Sequence, residues 1–188
     1  MEAERKALDA VLMEIDANPT SEFACTAFLE MLRRLPPLPR IPRMPSTGQP
    51  DVFLEFACKG VILAVELVLF RNEMSNEVLL TYREDEFFTG WHFPGTYRAP
   101  RVSLLEDAQR CADNELCGVR ITKVRQIGFH EHPESPRFHD AGMLVHCHFE
   151  GTPQYGKWFE RAPQDLIPVH EKYWEVIKRE QGIRRAGP

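Results

Sequence analysis

The chain has 188 residues, of which 43% are hydrophobic and 27% charged, and these proportions predict a packed globular domain rather than a disordered chain. The formal net charge of -5 argues against a broad electrostatic contact with DNA or RNA, so we expect no nucleic-acid partner. The five cysteines are odd in number and lack CxxC spacing, which disfavours a disulfide framework and predicts a cytoplasmic protein.

Two amphipathic helices are predicted at the N-terminus. Apolar residues recur at helical spacing over residues 2–17 and again over residues 21–32. Thr20 or Ser21 is the predicted N-cap of the second helix. We therefore predict a two-helix extension over residues 1–34 and consider it a candidate surface for forming a homodimer.

A proline-rich segment, LPPLPRIPRMPSTGQP, follows over residues 35–50. Proline at this density excludes a helix or a central strand and predicts a semi-rigid linker. The P-x-x-P spacings within the segment also fit a polyproline ligand for a partner protein, which is the alternative interpretation.

Residues 51–188 are predicted to form one domain, in which short β-rich runs, a helix, further strands and a final helix follow in order. This order predicts a mixed α/β (α+β) fold with a β-sheet packed between helices. The most apolar run, Val61–Phe70, is short and is interrupted by Glu66. No secretory signal is recognisable, and we expect no membrane partner.

A turn and a helix lie at the centre of this domain, in the stretch WHFPGTYRAPRVSLLEDAQRCADNELCGV. Ser103 and Glu106 have the spacing of a capping box, so a helix is predicted to begin near residue 103. Positions 111, 114 and 115 then share one face of that helix and hold Cys, Asn and Glu.

This stretch resembles the Nudix box, the strand–turn–helix signature G-x5-E-x7-R-E-U-x-E-E-x-G-U of the Nudix hydrolases. With Thr96 on the motif glycine, Arg110 falls on the motif arginine and Glu115 on the last glutamate. Three motif glutamates are replaced, by Val102, Cys111 and Asn114. The resemblance implies a Nudix-like sheet between helices; the alternative is a capped helix after a β-turn in another α/β domain.

The resemblance implies Mg²⁺-assisted hydrolysis of a small nucleotide substrate, a nucleoside diphosphate linked to another group such as a sugar. Mg²⁺ takes oxygen ligands and is satisfied by one or two protein carboxylates beside phosphate oxygens. We expect Glu115, the Asn114 side-chain oxygen and the Thr96 backbone carbonyl to supply them. The depleted box leaves a second interpretation, a catalytically inactive Nudix-fold domain that binds a nucleotide-like ligand.

One branch of the family, the GDP-mannose mannosyl hydrolases, also has a depleted box and uses a histidine near its last helix as base. Val169-His170 resembles that pair, so His170 is the candidate base, with Glu115 as its catalytic partner. The first box glutamate of that branch is Val102 here. Arg83 and Arg98 are candidate phosphate ligands, because a guanidinium fork fits phosphate oxygens.

Four histidines offer a different site. His130 and His132 share one strand face, as do His146 and His148, and such pairs can hold a transition metal of the cupin sort if their strands are neighbours. The alternative is that His130 or His132 contacts the base or sugar of a substrate, and we retain both as substrate-binding candidates.

The proline-rich segment generates a prediction about folding. A chain that starts near residue 50 should fold alone, because few contacts are expected to cross the segment. Circular dichroism should show retained secondary structure and a cooperative thermal transition. An unfolded product would assign the N-terminal helices to the core, whereas a folded monomer from a dimeric full-length chain would assign them to assembly.

Overall fold

The computed structural model describes residues 2–18, 21–34 and 57–186, in two compact units, Met1–Ile41 and Pro42–Pro188. The predicted linker, residues 35–50, lies outside the described residues, and so does Thr20. The predicted domain boundaries remain a prediction.

The first unit contains two helices, α1 (Glu2–Ala17) and α2 (Glu22–Arg34). Ser21 caps α2, since its Oγ accepts a hydrogen bond from the backbone N–H of Ala24 at 3.1 Å. Several large apolar side chains of this unit are exposed: Leu8, Leu12, Met13, Phe23 and Leu29. Dimer formation through these helices stays a prediction.

Over residues 57–186, the second unit contains two sheets and two helices of more than ten residues. The four-stranded sheet has the order β4-β1-β6-β5, with β1 (Ile62–Leu69), β4 (Gly95–Tyr97), β5 (Val119–His132) and β6 (Asp140–Gly151). The three-stranded sheet has the order β3-β2-β7, with β2 (Val78–Glu84), β3 (Thr89–His92) and β7 (Lys157–Phe159). The helices are α3 (Leu104–Glu115) and α4 (Glu171–Ala186), which a 3-10 turn (Pro168–His170) precedes.

The two helices cover opposite faces of β1, because buried side chains alternate along a strand. Val65 and Leu67 belong to a core cluster with α3, and Val68 belongs to a second cluster with α4. β1 pairs in parallel with β6 and antiparallel with β4. The predicted mixed sheet between helices is therefore confirmed. No described helix is long and apolar enough to span a membrane.

A buried carboxylate, Asp107, fixes α3 to β4. Its Oδ1 accepts a hydrogen bond from Arg110 Nη2 at 2.6 Å, and its Oδ2 lies 2.7 Å from Arg98 Nη1. Arg110 also donates to Thr96 Oγ1 and to the Tyr97 carbonyl, each at 2.7 Å. The predicted capping box of Ser103 and Glu106 is present at the start of α3. These contacts set the direction in which α3 carries Glu115.

Replacing Asp107 should destabilise the fold. Asp107→Asn leaves two guanidinium groups without their carboxylate, and because both arginine side chains are 28–29% exposed, we expect a loss of about 2–3 kcal/mol, below the ~3–5 kcal/mol of a fully buried pair. Urea unfolding measures the loss. The control is Glu150→Gln, which breaks the exposed Arg120–Glu150 pair and should cost less than about 1 kcal/mol. Equal losses in the two variants would contradict the role of Asp107.

Candidate active site

A cavity of about 650 Å³ opens where β2 extends beyond its partner β7. Three residues named by the sequence analysis line it: Arg83, Asn114 and Glu115. The rest of the lining joins aromatic and charged side chains, among them Tyr82, Trp91, Tyr155, Glu84, Asp85 and Lys157. The structure therefore brings one predicted phosphate ligand and two predicted metal ligands to one place.

Glu115, at the end of α3, is held by β2 and by the first residue of β4. Its Oε2 accepts a hydrogen bond from the Thr81 hydroxyl at 3.1 Å, and its Oε1 accepts one from the Gly95 backbone N–H at 3.4 Å. Burial raises the pKa of Glu115, whereas the charge of Arg83 and the two hydrogen bonds lower it. A carboxylate with a raised pKa at the edge of a cavity is a candidate for proton transfer or cation binding.

His92 adds a second buried group to this network. Its Nδ1 lies 2.7 Å from the Phe93 carbonyl oxygen, which can only accept, so Nδ1 carries the proton. Its Nε2 lies 3.1 Å from Thr81 Oγ1. Burial lowers the pKa of His92 to about 3, which keeps the ring neutral and leaves Nε2 as an acceptor.

Thr81 has one hydroxyl proton and two acceptors beside it, Glu115 and His92. When Glu115 is ionised, the hydroxyl donates to Glu115 and His92 Nε2 lacks a donor. When Glu115 is protonated, it can donate to Thr81, which in turn donates to His92. Protonation of Glu115 thus satisfies the whole chain, in agreement with its raised pKa.

His170, the candidate base, lies buried in the 3-10 turn before α4. Its Nδ1 accepts a hydrogen bond from the Phe93 backbone N–H at 3.0 Å, so the neutral ring carries its proton on Nε2, 3.8 Å from Glu66 Oε1. Burial holds the pKa of His170 well below its usual range. Neither ring nitrogen then offers a free lone pair. The assignment of His170 as base stays a prediction, and these contacts count against it.

Glu66 is a buried carboxylate that the sequence analysis did not assign to the site. It lies on β1 directly opposite Gly95, and its Oε2 has no hydrogen-bond partner among residues 2–18, 21–34 and 57–186. Burial, followed by repulsion from Glu115, raises the pKa of Glu66 to about 8. The signal was present in the sequence, since a charge in the middle of Val61–Phe70 is unusual for a buried strand.

Two further predicted residues have structural contacts. Arg98 faces Asp107 and donates to the Val102 carbonyl at 3.1 Å, so its guanidinium is engaged at the start of α3 rather than in the cavity. Thr96 lies on β4 opposite Val65, with its hydroxyl bound by Arg110. The phosphate role of Arg98 and the metal role of the Thr96 carbonyl stay predictions.

The histidine pairs do not converge into one site, although β5 and β6 are neighbours. His130 lies opposite Gly142, four residues before His146, which separates the pairs by about 13 Å along the strands at ~3.3 Å per residue. His132 Nε2 lies 2.6 Å from the Tyr173 hydroxyl. The His130 ring lies 5.6 Å from the Tyr173 ring. Both residues therefore pack against α4, and their role in substrate binding stays a prediction.

Solved structures with folds similar to this chain are Nudix hydrolases and related proteins. The MutT NUDIX hydrolase from Burkholderia pseudomallei matches with a TM-score of 0.52 and 16% identity, over 63% of this chain and 97% of that one. The chain has the Nudix fold. The E. coli ORF135 protein matches with a TM-score of 0.50 and 22% identity, over 68% of this chain and 94% of that one.

A third similar structure is a bifunctional NMN adenylyltransferase/ADP ribose pyrophosphatase from Francisella tularensis, complexed with AMP and a Mn ion. It matches with a TM-score of 0.49 and 11% identity, over 65% of this chain and 42% of that one. No protein-family model matches the sequence, and no curated protein does. The two matches with TM-scores of 0.50 and 0.52 establish the Nudix fold, and the reaction has to be argued from the residues of this chain.

The raised pKa of Glu66 predicts how stability depends on pH in the absence of divalent cations. The folded protein keeps a Glu66 proton that the unfolded chain loses between pH 4.5 and about 8, so the contribution of Glu66 to the free energy of unfolding falls as the pH rises through this window. Glu66→Gln should remove that fall. Its stability relative to wild type should increase with pH, at about 1.4 kcal/mol per unit of pKa shift, as measured by urea unfolding from pH 5 to pH 8.

The prediction is tested by the difference in the free energy of unfolding between Glu66→Gln and the wild type. Burial also lowers the pKa values of three histidines, His92, His132 and His170. These histidines make the folded protein less stable as the pH falls, which is opposite to the effect of Glu66. Their contribution is common to both proteins. The matched control is Glu180→Gln, which changes a buried carboxylate of α4 that pairs with Arg125 at 2.5 Å. A pH-independent difference for Glu66→Gln would refute the prediction.

Proposed function

We propose that this chain is a Nudix-type hydrolase that acts on a nucleoside diphosphate linked to another group, such as a sugar. The observation that carries the proposal is the composition of one cavity, where the carboxylate of Glu115 lies beside the guanidinium of Arg83 and an aromatic rim. A diphosphate needs cationic groups, its metal needs a carboxylate, and a nucleobase needs an aromatic surface.

Arg83 and Lys157 give the cavity its positive charge. The Arg83 side chain is 23% exposed, and its Nε lies 3.6 Å from Asp85 Oδ2, a distance that leaves its hydrogen-bonding capacity largely unused. Lys157 Nζ lies 5.3 Å from the centre of the Trp91 ring. The two cations line one cavity with Glu115, an arrangement that fits phosphate groups next to a metal ligand.

The aromatic rim supports a nucleoside as part of the substrate. Tyr82 is 49% exposed and Tyr155 is 59% exposed, which is high for large side chains beside a cavity. Tyr82 and Trp91 are partners across β2 and β3, with ring centres 5.2 Å apart. Stacking of a nucleobase on an aromatic ring of this kind stabilises binding by about 1–3 kcal/mol per base.

The donor groups fit Mg²⁺ only with help from the substrate. Among the described residues there is no group of three or more His, Cys, Asp or Glu side chains that could enclose a metal ion. Glu115 and the Asn114 side chain line the cavity, and the Thr96 carbonyl is the third predicted ligand. Bound there with a diphosphate, Mg²⁺ would offset negative charge that develops on phosphate oxygens.

The second candidate function is binding of a nucleotide without hydrolysis, and the face of α3 favours it. Cys111 is fully buried, and burial raises its pKa well above the usual range, so this thiol does not replace the lost glutamate. Asn114 is exposed but carries no charge. Turnover is therefore the property that separates the two functions.

A hydrolysis screen with Mg²⁺ tests the proposal. It should cover nucleoside diphosphate sugars, dinucleotides and nucleoside triphosphates, and we expect turnover of at least one diphosphate-linked compound. Glu115→Gln should then lower kcat/KM by about 10²-fold or more, because several kcal/mol of charge stabilisation are lost. Asp113→Asn, on the exposed side of α3 where Asp113 accepts from Gln109, is the control and should keep the activity.

The same assay tests the base. If His170 is the base, His170→Ala should lower kcat by ~10²–10⁴-fold with KM nearly unchanged. A smaller loss would remove His170 from the chemical step. Binding of nucleotides without turnover of any compound would leave the second candidate function in place of the first.

A further inference from the structure

Among the described residues, Glu66 makes no ion pair with a lysine or an arginine, and His170, 3.8 Å from its Oε1, is neutral. The charges of Arg83 and Arg137 lower the pKa of Glu66 but do not outweigh its burial. The residue is 8% exposed, and its Oε2 is inaccessible to solvent and without a hydrogen-bond partner in the part of the chain that the structure describes. A buried carboxylate is costly unless it is paired, hydrogen-bonded or bound to a metal. Glu180 is buried to a similar extent, but unlike Glu66 it forms an ion pair with an arginine, Arg125.

The space at residue 95 explains where the carboxylate of Glu66 lies. A Cβ added to Gly95 would be 2.2 Å from Glu66 Oε2 and 2.9 Å from Oε1, so the side chain occupies the volume that any other residue at position 95 would fill. The backbone N–H of the same glycine donates to Glu115 Oε1. Two carboxylates from different elements, β1 and α3, therefore meet at one glycine.

The chain lacks the carboxylates that α3 would carry in a complete Nudix box. Positions 111 and 114 hold Cys and Asn, which leaves Glu115 as the box carboxylate that faces the cavity. Glu66 places a second carboxylate beside it from the central strand, on a rigid element that is hydrogen-bonded on both sides. Two carboxylates together with diphosphate oxygens are a sufficient donor set for a hard divalent cation.

We propose that Glu66 and Glu115 form a two-carboxylate cation site around Gly95, in which Glu66 takes the place of the glutamates that α3 lacks. The ligand is a hard divalent cation, Mg²⁺ or Mn²⁺, accompanied by the diphosphate oxygens of the substrate. The inference rests on the proposed function for the identity of that diphosphate, but it concerns binding and is independent of turnover.

The test measures cation binding by the full-length protein. Mn²⁺ is titrated in the presence of inorganic pyrophosphate, and protein-bound Mn²⁺ is followed by electron paramagnetic resonance. The wild type should bind Mn²⁺ more tightly with pyrophosphate than without it. Glu66→Gln and Glu115→Gln should each weaken this binding by ~10–100-fold, the range of losses for groups that hold or orient a metal.

Two further variants separate a cation site from a structural role. Glu180→Gln removes a buried carboxylate elsewhere and should leave Mn²⁺ affinity unchanged. Gly95→Ala keeps both carboxylates but forces Glu66 out of its position, and it should weaken Mn²⁺ binding as Glu66→Gln does. Circular dichroism and urea unfolding confirm that each variant is folded before its affinity is compared.

The outcomes distinguish this inference from the proposed function. A loss in Glu66→Gln that matches the loss in Glu115→Gln supports the two-carboxylate site, even if no substrate is hydrolysed. Unchanged Mn²⁺ affinity in folded Glu66→Gln overturns the site, even if the wild type is an active hydrolase. Failure of the wild type to bind Mn²⁺ with pyrophosphate overturns it as well.

Discussion

The absence of a side chain at Gly95 is the constraint on which the rest of the site depends. β4 approaches β1 at this point, and the pairing of Gly95 with Glu66 leaves room for one carboxylate and no more. The N–H of the same residue orients Glu115 at the end of α3. One small residue therefore brings together two acidic groups, one from β1 and one from α3, that repel each other.

The backbone N–H and C=O of Phe93, two residues earlier, fix the protonation of two buried histidines, His92 and His170. Its N–H requires an acceptor at His170 Nδ1, and its carbonyl requires a donor at His92 Nδ1. Because the backbone cannot exchange these roles, each imidazole is restricted to one tautomer. The rings are neutral at physiological pH, so they supply no positive charge to Glu66 or Glu115.

The sequence predicted the features that local rules determine. The capping box of α3 and the order of strands and helices were confirmed, because residue spacing and composition along the chain are enough to predict them. The arrangement of the site depends on the register between neighbouring strands, which the spacing of residues along the sequence does not reveal. The pairing of β1 with β4 is what places Glu66 beside Gly95. Arg98 contacts Asp107, a carboxylate on the buried side of α3, and does not line the cavity.

The contact of α4 with the sheet has a consequence for proton uptake by the buried histidines. Tyr173 packs where Gly142 has no side chain, its hydroxyl bonds His132, and its ring lies 4.8 Å from that of His170. Burial under this contact is the main cause of the lowered pKa values of His132 and His170. Any state in which α4 is undocked therefore leaves both rings hydrated and free to take up protons, so proton uptake at these histidines accompanies release of the helix.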